Sequence, residues 1–170
     1  MRAIVVYESM FGNTEEVAYA VGEGCGASEV FAVNQAPGDL RGYDLLVVGA
    51  PTHVHGLSRP STRKAAAEQE QGGARTGEPG LREWLGAFAA LPPALETAVF
   101  DTRIGKPRWL TGSAARSAAK ILRDLGRAPA EVESFLVEGD GPDTKLVAGE
   151  ATRARDWGAG LRLRRRASRA

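Results

Sequence analysis

Ala3-Ile4-Val5-Val6-Tyr7-Glu8-Ser9-Met10-Phe11-Gly12-Asn13-Thr14-Glu15-Glu16 is the stretch whose reading decides the fold. Its first five residues are apolar on both faces, as in a parallel strand buried between two helix layers. A helix follows almost at once: Thr14, Val17, Ala18 and Val21 fall at i, i+3, i+4, i+7. Between strand and helix lie a hydroxyl, an amide and a glycine, with no lysine or arginine. A helix starting there turns unpaired N–H groups and the positive end of its dipole toward the loop, which suits a phosphate. A plainer reading uses the same residues: Asn13 as N-cap, with Glu16 three positions on.

The strand-to-helix rhythm recurs outward from this stretch. Leu45–Gly49 and Ala98–Phe100 are further buried strands; Glu29–Val33 and Glu133–Val137 read as two more, the first nearer an edge because it starts polar. Ala114, Ala118, Ile121, Leu122 and Leu125 repeat the helical spacing, with Gly126 as a C-terminal stop, and Ala154, Trp157 and Leu161 mark a last amphipathic helix. Asn34–Tyr43 has room for one turn, centred on Asp39 and Leu40. The glycine-rich Gln71–Gly80 splits the third helical region into pieces at about Thr62–Glu70 and Leu81–Ala89. Alternating strands and helices imply crossover connections and a doubly wound α/β sheet. In such sheets ligands sit beyond the carboxyl ends of the strands, so the loops after strands one, three and four carry the candidate site.

Composition narrows the function. The chain has 170 residues, Lys+Arg 22 against Asp+Glu 21 and a net charge of +1, which gives no general field for nucleic acid. One cysteine, Cys25, excludes an internal disulfide framework. No apolar run approaches the ~18 residues of a membrane span, and Glu8 ends the first run too early for a secretory signal. A cytoplasmic domain over residues 2–163, followed by a basic tail over 164–170, is the expectation.

Tyr7–Glu15, with its Ser-x-x-Gly-Asn-Thr pattern, resembles the phosphate loop of flavodoxins and flavodoxin-like FMN proteins, including quinone-reductase-like flavoproteins. Tyr43-Asp44 leading Leu45–Gly49 into Ala50-Pro51-Thr52, and the alanine-rich Gly112–Gly126, are similar to the same family. The resemblance implies a five-stranded parallel sheet of order 2-1-3-4-5 and FMN as cofactor. It assigns the phosphate to the hydroxyls of Ser9 and Thr14, to Asn13, and to the N–H groups of Met10, Phe11, Gly12, Asn13 and Thr14. Phe11 departs from the hydroxyl residue common there. Pro51-Thr52-His53-Val54-His55-Gly56 corresponds to the loop along the isoalloxazine, with Gly56 near its N5 and no tryptophan of the kind many flavodoxins place there. Backbone at Asp101, Thr102 and Arg103 matches the pyrimidine end of the ring.

His53 and His55 are the only histidines, and no cysteine or tight carboxylate cluster accompanies them, so no metal site is expected. Trp109 reads either as a cover for the ring or as a packing anchor for the next helix; Trp84 and Trp157 read as core. The rim Arg103, Lys106, Arg108 is basic. Walker A spacing, a Gly-x-Ser-x-Gly elbow and the acidic cluster of response regulators are absent. The resemblance thus implies electron transfer or flavin-dependent oxidoreduction, with a redox partner protein or a small-molecule acceptor. The near-neutral charge, where flavodoxins are acidic, points toward an oxidoreductase directed at quinone or protoporphyrinogen. Because the flavin carries the chemistry, no catalytic acid or base is required. The alternative is an interaction module that keeps the fold and has lost the flavin.

Overall fold

A computed structural model of the chain describes residues 1–27, 29–52, 56–69 and 79–167. In chain order the elements are β1 (Ala3–Tyr7), α1 (Asn13–Cys25), β2 (Glu29–Ala32), β3 (Leu45–Pro51), α2 (Pro60–Gln69), α3 (Leu81–Gly86), β4 (Glu96–Ile104), α4 (Arg108–Thr111), α5 (Ala114–Asp124), β5 (Glu131–Glu138), β6 (Lys145–Leu146) and α6 (Glu150–Ala167). The strands lie in the order β2-β1-β3-β4-β5-β6, and the first five are parallel in the expected 2-1-3-4-5 arrangement. The sixth strand corrects the five-stranded count. Its two residues run antiparallel to Val137 and Glu138, in a polar stretch where periodicity gives no signal.

Alternation along the strands divides the core between two helix layers. Ile4, Val6, Leu46, Val48 and Val99 pack with Leu81 and Leu85 of α3 and Ala118 and Leu122 of α5. Ala3, Val5, Leu45, Val47 and Phe100 pack with Val17 and Val21 of α1 and Leu161 of α6. Residues on β2 are all half-buried, as an edge strand requires. Helices α1 and α6 approach backbone to backbone: a Cβ on Gly24 would lie 2.0 Å from the Arg155 carbonyl oxygen, and one on Gly158 2.4 Å from that of Val21. Neither position accommodates any larger residue without parting the helices.

Helix α5 ends as anticipated at Gly126, whose φ of 82° lets Arg127 N–H return to the Leu122 carbonyl at 2.8 Å. Three expectations shift. The connection after β2 makes two turns, not one: a 3-10 turn at Val33–Gln35 ahead of Pro37, and a non-helical turn after Asp39 in which Tyr43 N–H donates to the Leu40 carbonyl at 3.3 Å. Helix α3 stops at Gly86 rather than near Ala89. The basic end continues as helix α6 to Ala167, with the Arg165 side chain only 5% exposed and paired with Asp44 at 3.4 Å and with Glu96. No helix among the described residues is long and apolar enough to cross a membrane.

Candidate functional site

Three strands end side by side. Tyr7 stands opposite Gly49, Gly49 opposite Phe100, and Pro51 opposite Thr102. The ladder extends one residue past the strands, with Glu8 N–H on the Gly49 carbonyl and Thr52 N–H on the Thr102 carbonyl, both at 2.9 Å. The loops beginning at Ser9 and Thr52, and the end of β4 from Arg103 onward, therefore lie at the same edge of the sheet.

In the first loop, Ser9 Oγ accepts from Gly12 N–H at 3.1 Å, and Gly12 takes φ 88°, a left-handed conformation. Gly12, not Asn13, is the N-cap, and no side chain caps α1. This corrects the capping reading of Asn13: its amide instead donates to the Thr144 carbonyl at 2.9 Å. Glu16 N–H closes the first helical bond to Gly12, leaving the N–H groups of Asn13, Thr14 and Glu15 without an acceptor among the described residues. Met10 and Phe11 are half-buried beside them. Thr14 is buried, and its hydroxyl meets that of Thr102 at 2.7 Å.

The other two loops share one carboxylate. Asp101 is fully buried, and its Oδ2 accepts from Ser113 Oγ at 2.6 Å, Ala115 N–H at 3.0 Å and Thr52 Oγ1 at 3.1 Å. Thr52 Oγ1 in turn accepts from Ala114 N–H at 3.0 Å. The start of α5 is thus bound to β3 and β4 through the Asp101 carboxyl group. Asp101 Oδ1 has no partner among the described residues. Arg103 donates to the carbonyls of Ile104 and Lys106 and holds its own loop together. Gly56 is buried, and a Cβ there would come within 2.8 Å of Ser117 Oγ, so the strand-three loop returns onto α5. His53, Val54 and His55 lie outside the described residues.

The structure thus brings Thr14 to Thr102 and Thr52 to Asp101, linking the predicted loops by side chains where the sequence assigned only contacts to a ligand. Two members escaped the sequence reading. Ser113 caps α5 by accepting from Arg116 N–H at 3.2 Å; a serine ahead of an alanine-rich helix is a detectable cap signal. Glu8 is buried and accepts from Leu81 N–H, 73 positions away, at 2.8 Å, while its Oε1 finds no partner among the described residues. No local pattern announces such a long-range bond. At the end of β1, Tyr7 donates to Glu15 at 2.5 Å, and burial followed by that carboxylate pushes its phenol pKa well above the ordinary value. Trp109 is 81% exposed, so it does not anchor a helix; Trp84 is core, and Trp157 stacks edgewise on Phe100 and Phe135. No metal-binding cluster occurs among the described residues.

Solved structures with this architecture include flavodoxins and azoreductases. A flavodoxin from the domain Archaea superposes with a TM-score of 0.60 at 17% identity, covering 96% of this chain and 98% of that one. The chain has the flavodoxin-like fold. A Streptococcus pneumoniae TIGR4 flavodoxin gives 0.64 at 14% identity, covering 96% and 99%. The azoreductase AzrA gives 0.56 at 11%, covering 94% and 100%. No protein-family model and no curated protein matches the sequence. At these identities the flavodoxin-like architecture is what is shared.

Proposed function

We propose that this flavodoxin-like chain binds FMN at the ends of β1, β3 and β4 and passes electrons through it, as a carrier or a flavin-dependent oxidoreductase. The observation that carries this reading is the start of α1. Three N–H groups without acceptors, a glycine in the left-handed region with nothing within 4 Å of a Cβ position, and no capping side chain fit an incoming phosphate. Ser9 Oγ and those N–H groups would hold the phosphate; the segment from Thr52 to Gly56 and the backbone from Asp101 to Arg103 would border the ring. FMN, once bound, supplies the one- and two-electron chemistry. The chain's part is to orient it and shield it from water. Thr14 would contribute its N–H, and its hydroxyl, which shares one hydrogen bond with that of Thr102, keeps further bonding capacity for the phosphate. The second reading, an interaction module without flavin, is favoured by the same contact, which ties the start of α1 to β4 without any ligand.

Titration with FMN and with riboflavin separates the two readings. Binding should quench FMN fluorescence, and Ser9→Ala should weaken FMN by about tenfold, the cost of one hydrogen bond to a charged group, while barely changing riboflavin. Protein that leaves FMN fluorescence unaltered supports the module.

A further inference from the structure

From Thr102 to Arg123 the sequence contains Arg103, Lys106, Arg108, Arg116, Lys120 and Arg123 and no acidic residue, in a chain whose net charge is +1. Arg116, Lys120 and Arg123 fall at i, i+4, i+7 and are all exposed on the outer face of α5, while Ala115, Ala118, Ala119 and Leu122 fill its core face. Among the described residues, Arg103, Lys106, Arg116, Lys120 and Arg123 have no carboxylate within ion-pair distance. Acids on neighbouring elements are already engaged: Glu83 with Arg63 at 3.3 Å, Glu131 with Arg164 at 3.2 Å, and Glu133 with Arg153 at 3.3 Å. The one acid on the helix itself is the exposed Asp124 at its far end. Between β4 and α5 lie three exposed apolar side chains, Ile104 (40%) at the end of β4 and Trp109 (81%) and Leu110 (49%) in α4, beside the candidate site.

We propose that the outer face of α5, continued by the Ile104–Leu110 segment, is the docking surface for an acidic protein that exchanges electrons at the adjacent site. The electron exchange rests on the FMN reading above; the docking does not. An apolar, tryptophan-containing centre beside a basic border is the anatomy of a protein interface, and its small extent suits the brief encounters of redox partners. Unpaired like charges steer such a partner from a distance. A membrane is disfavoured because the apolar face of α5 is in the core, whereas an interfacial helix turns it outward. A nucleic-acid duplex is disfavoured because the positive field stops: exposed Glu138 ends the neighbouring strand β5, and exposed Asp140 and Asp143 follow in the turn after it.

The test uses a plant-type [2Fe–2S] ferredoxin as acidic electron carrier and cytochrome c as basic counterpart, titrated into the full chain and followed by NMR, with and without FMN. Ferredoxin, not cytochrome c, should shift the Trp109 indole and the amides of α5. Raising salt from about 20 to about 200 mM should weaken the complex severalfold by screening. The exposed triple variant Arg116→Glu/Lys120→Glu/Arg123→Glu should weaken it at least about tenfold, with an unchanged melting temperature. Absent binding, shifts centred elsewhere, or an unaltered Kd in the triple variant would overturn the docking surface. Tighter, α5-dependent binding of anionic phosphatidylglycerol vesicles or of duplex DNA would overturn the partner class. Because complex formation is read without FMN, ferredoxin docking on α5 of a chain that takes no flavin would refute only the cofactor reading.

Discussion

The two ends of the sheet treat their polar groups differently. At the amino ends of the strands, Arg165 reaches in from α6 to Asp44 before β3 and to Glu96 at the start of β4, while Arg2 N–H donates to Asp44 at 2.7 Å and its guanidinium lies 4.2 Å over the Tyr43 ring. Charges there are spent on closing the fold. At the carboxyl ends, Asp101 and Glu8 each keep one buried oxygen without a partner among the described residues, and α1 begins without a side-chain cap. Buried polar groups left incomplete are costly. Glu8 directly follows β1 and Asp101 lies near the end of β4, so both incomplete carboxyls border the candidate site.

The comparison is broken most directly at its two carboxylate centres. Asp101→Ala strips the acceptor from Ser113, Ala115 and Thr52 together and should cost about 3 kcal/mol in urea unfolding, with Asp101→Asn costing about half as much. Arg165→Ala should cost about 2 kcal/mol, since Asp44 and Glu96 are partly exposed and regain water. Ligand separates the two. A hundredfold excess of FMN over its Kd adds about 2.7 kcal/mol to any variant that still binds. Arg165→Ala should keep that increment and Asp101→Ala should lose most of it. Equal increments in both would mean the carboxyl end is no more a binding edge than the amino end.

A sharper probe acts on one backbone position. Gly12→Ala forces a side chain into φ 88° where no neighbouring atom lies within 4 Å, so the penalty is backbone strain alone, about 1 kcal/mol. Thermal unfolding should show that loss. If the loop relaxes its conformation instead, stability is spared and FMN affinity falls while riboflavin affinity holds.

What the sequence made legible follows the same division. Buried parallel strands announce themselves as apolar runs, so β1 and β3 could be anticipated, while the order of the first five strands was implied by the resemblance to flavodoxins; Gly126 was readable because a left-handed stop suits it. The candidate phosphate loop, Ser9–Thr14, is one contiguous stretch, so its members could be proposed from the sequence. The links between loops could not. Thr14 to Thr102, Thr52 to Asp101 and Glu8 to Leu81 join positions far apart in the chain, and nothing in one residue's neighbourhood specifies such a partner. Two-residue β6 lies below any periodic signal. The basic end of α6 looked like solvated tail because arginine usually is exposed; Arg165 is buried only because Asp44 and Glu96 wait for it across the sheet.

The smallest effect expected is electrostatic and lies on the β5 side of the carboxyl ends, where Leu136 stands opposite Arg103. Glu150 opens α6 and accepts from the Arg153 guanidinium at 2.7 Å and from Leu136 N–H at 2.6 Å. Arg153 holds its carboxyl below the ordinary carboxylate range, burial opposes this in part, and the Leu136 N–H adds to it. The folded chain therefore releases this proton more readily than the unfolded one. Its contribution is present above the unfolded carboxylate range and is lost as pH falls through the lowered folded value, where the unfolded state binds more protons. Glu150→Gln should lower stability at neutral pH by something under about 1 kcal/mol, because the partner is partly exposed, and should flatten the acid limb of stability below about pH 4.5. Asp39 provides the contrast. The Arg41 side chain, then its N–H, draws the Asp39 carboxyl down to about 2 on an exposed turn, where water competes for both partners. Asp39→Asn should leave the acid limb of wild type nearly unchanged, and an equal flattening by both substitutions would show that burial of Glu150 contributes nothing.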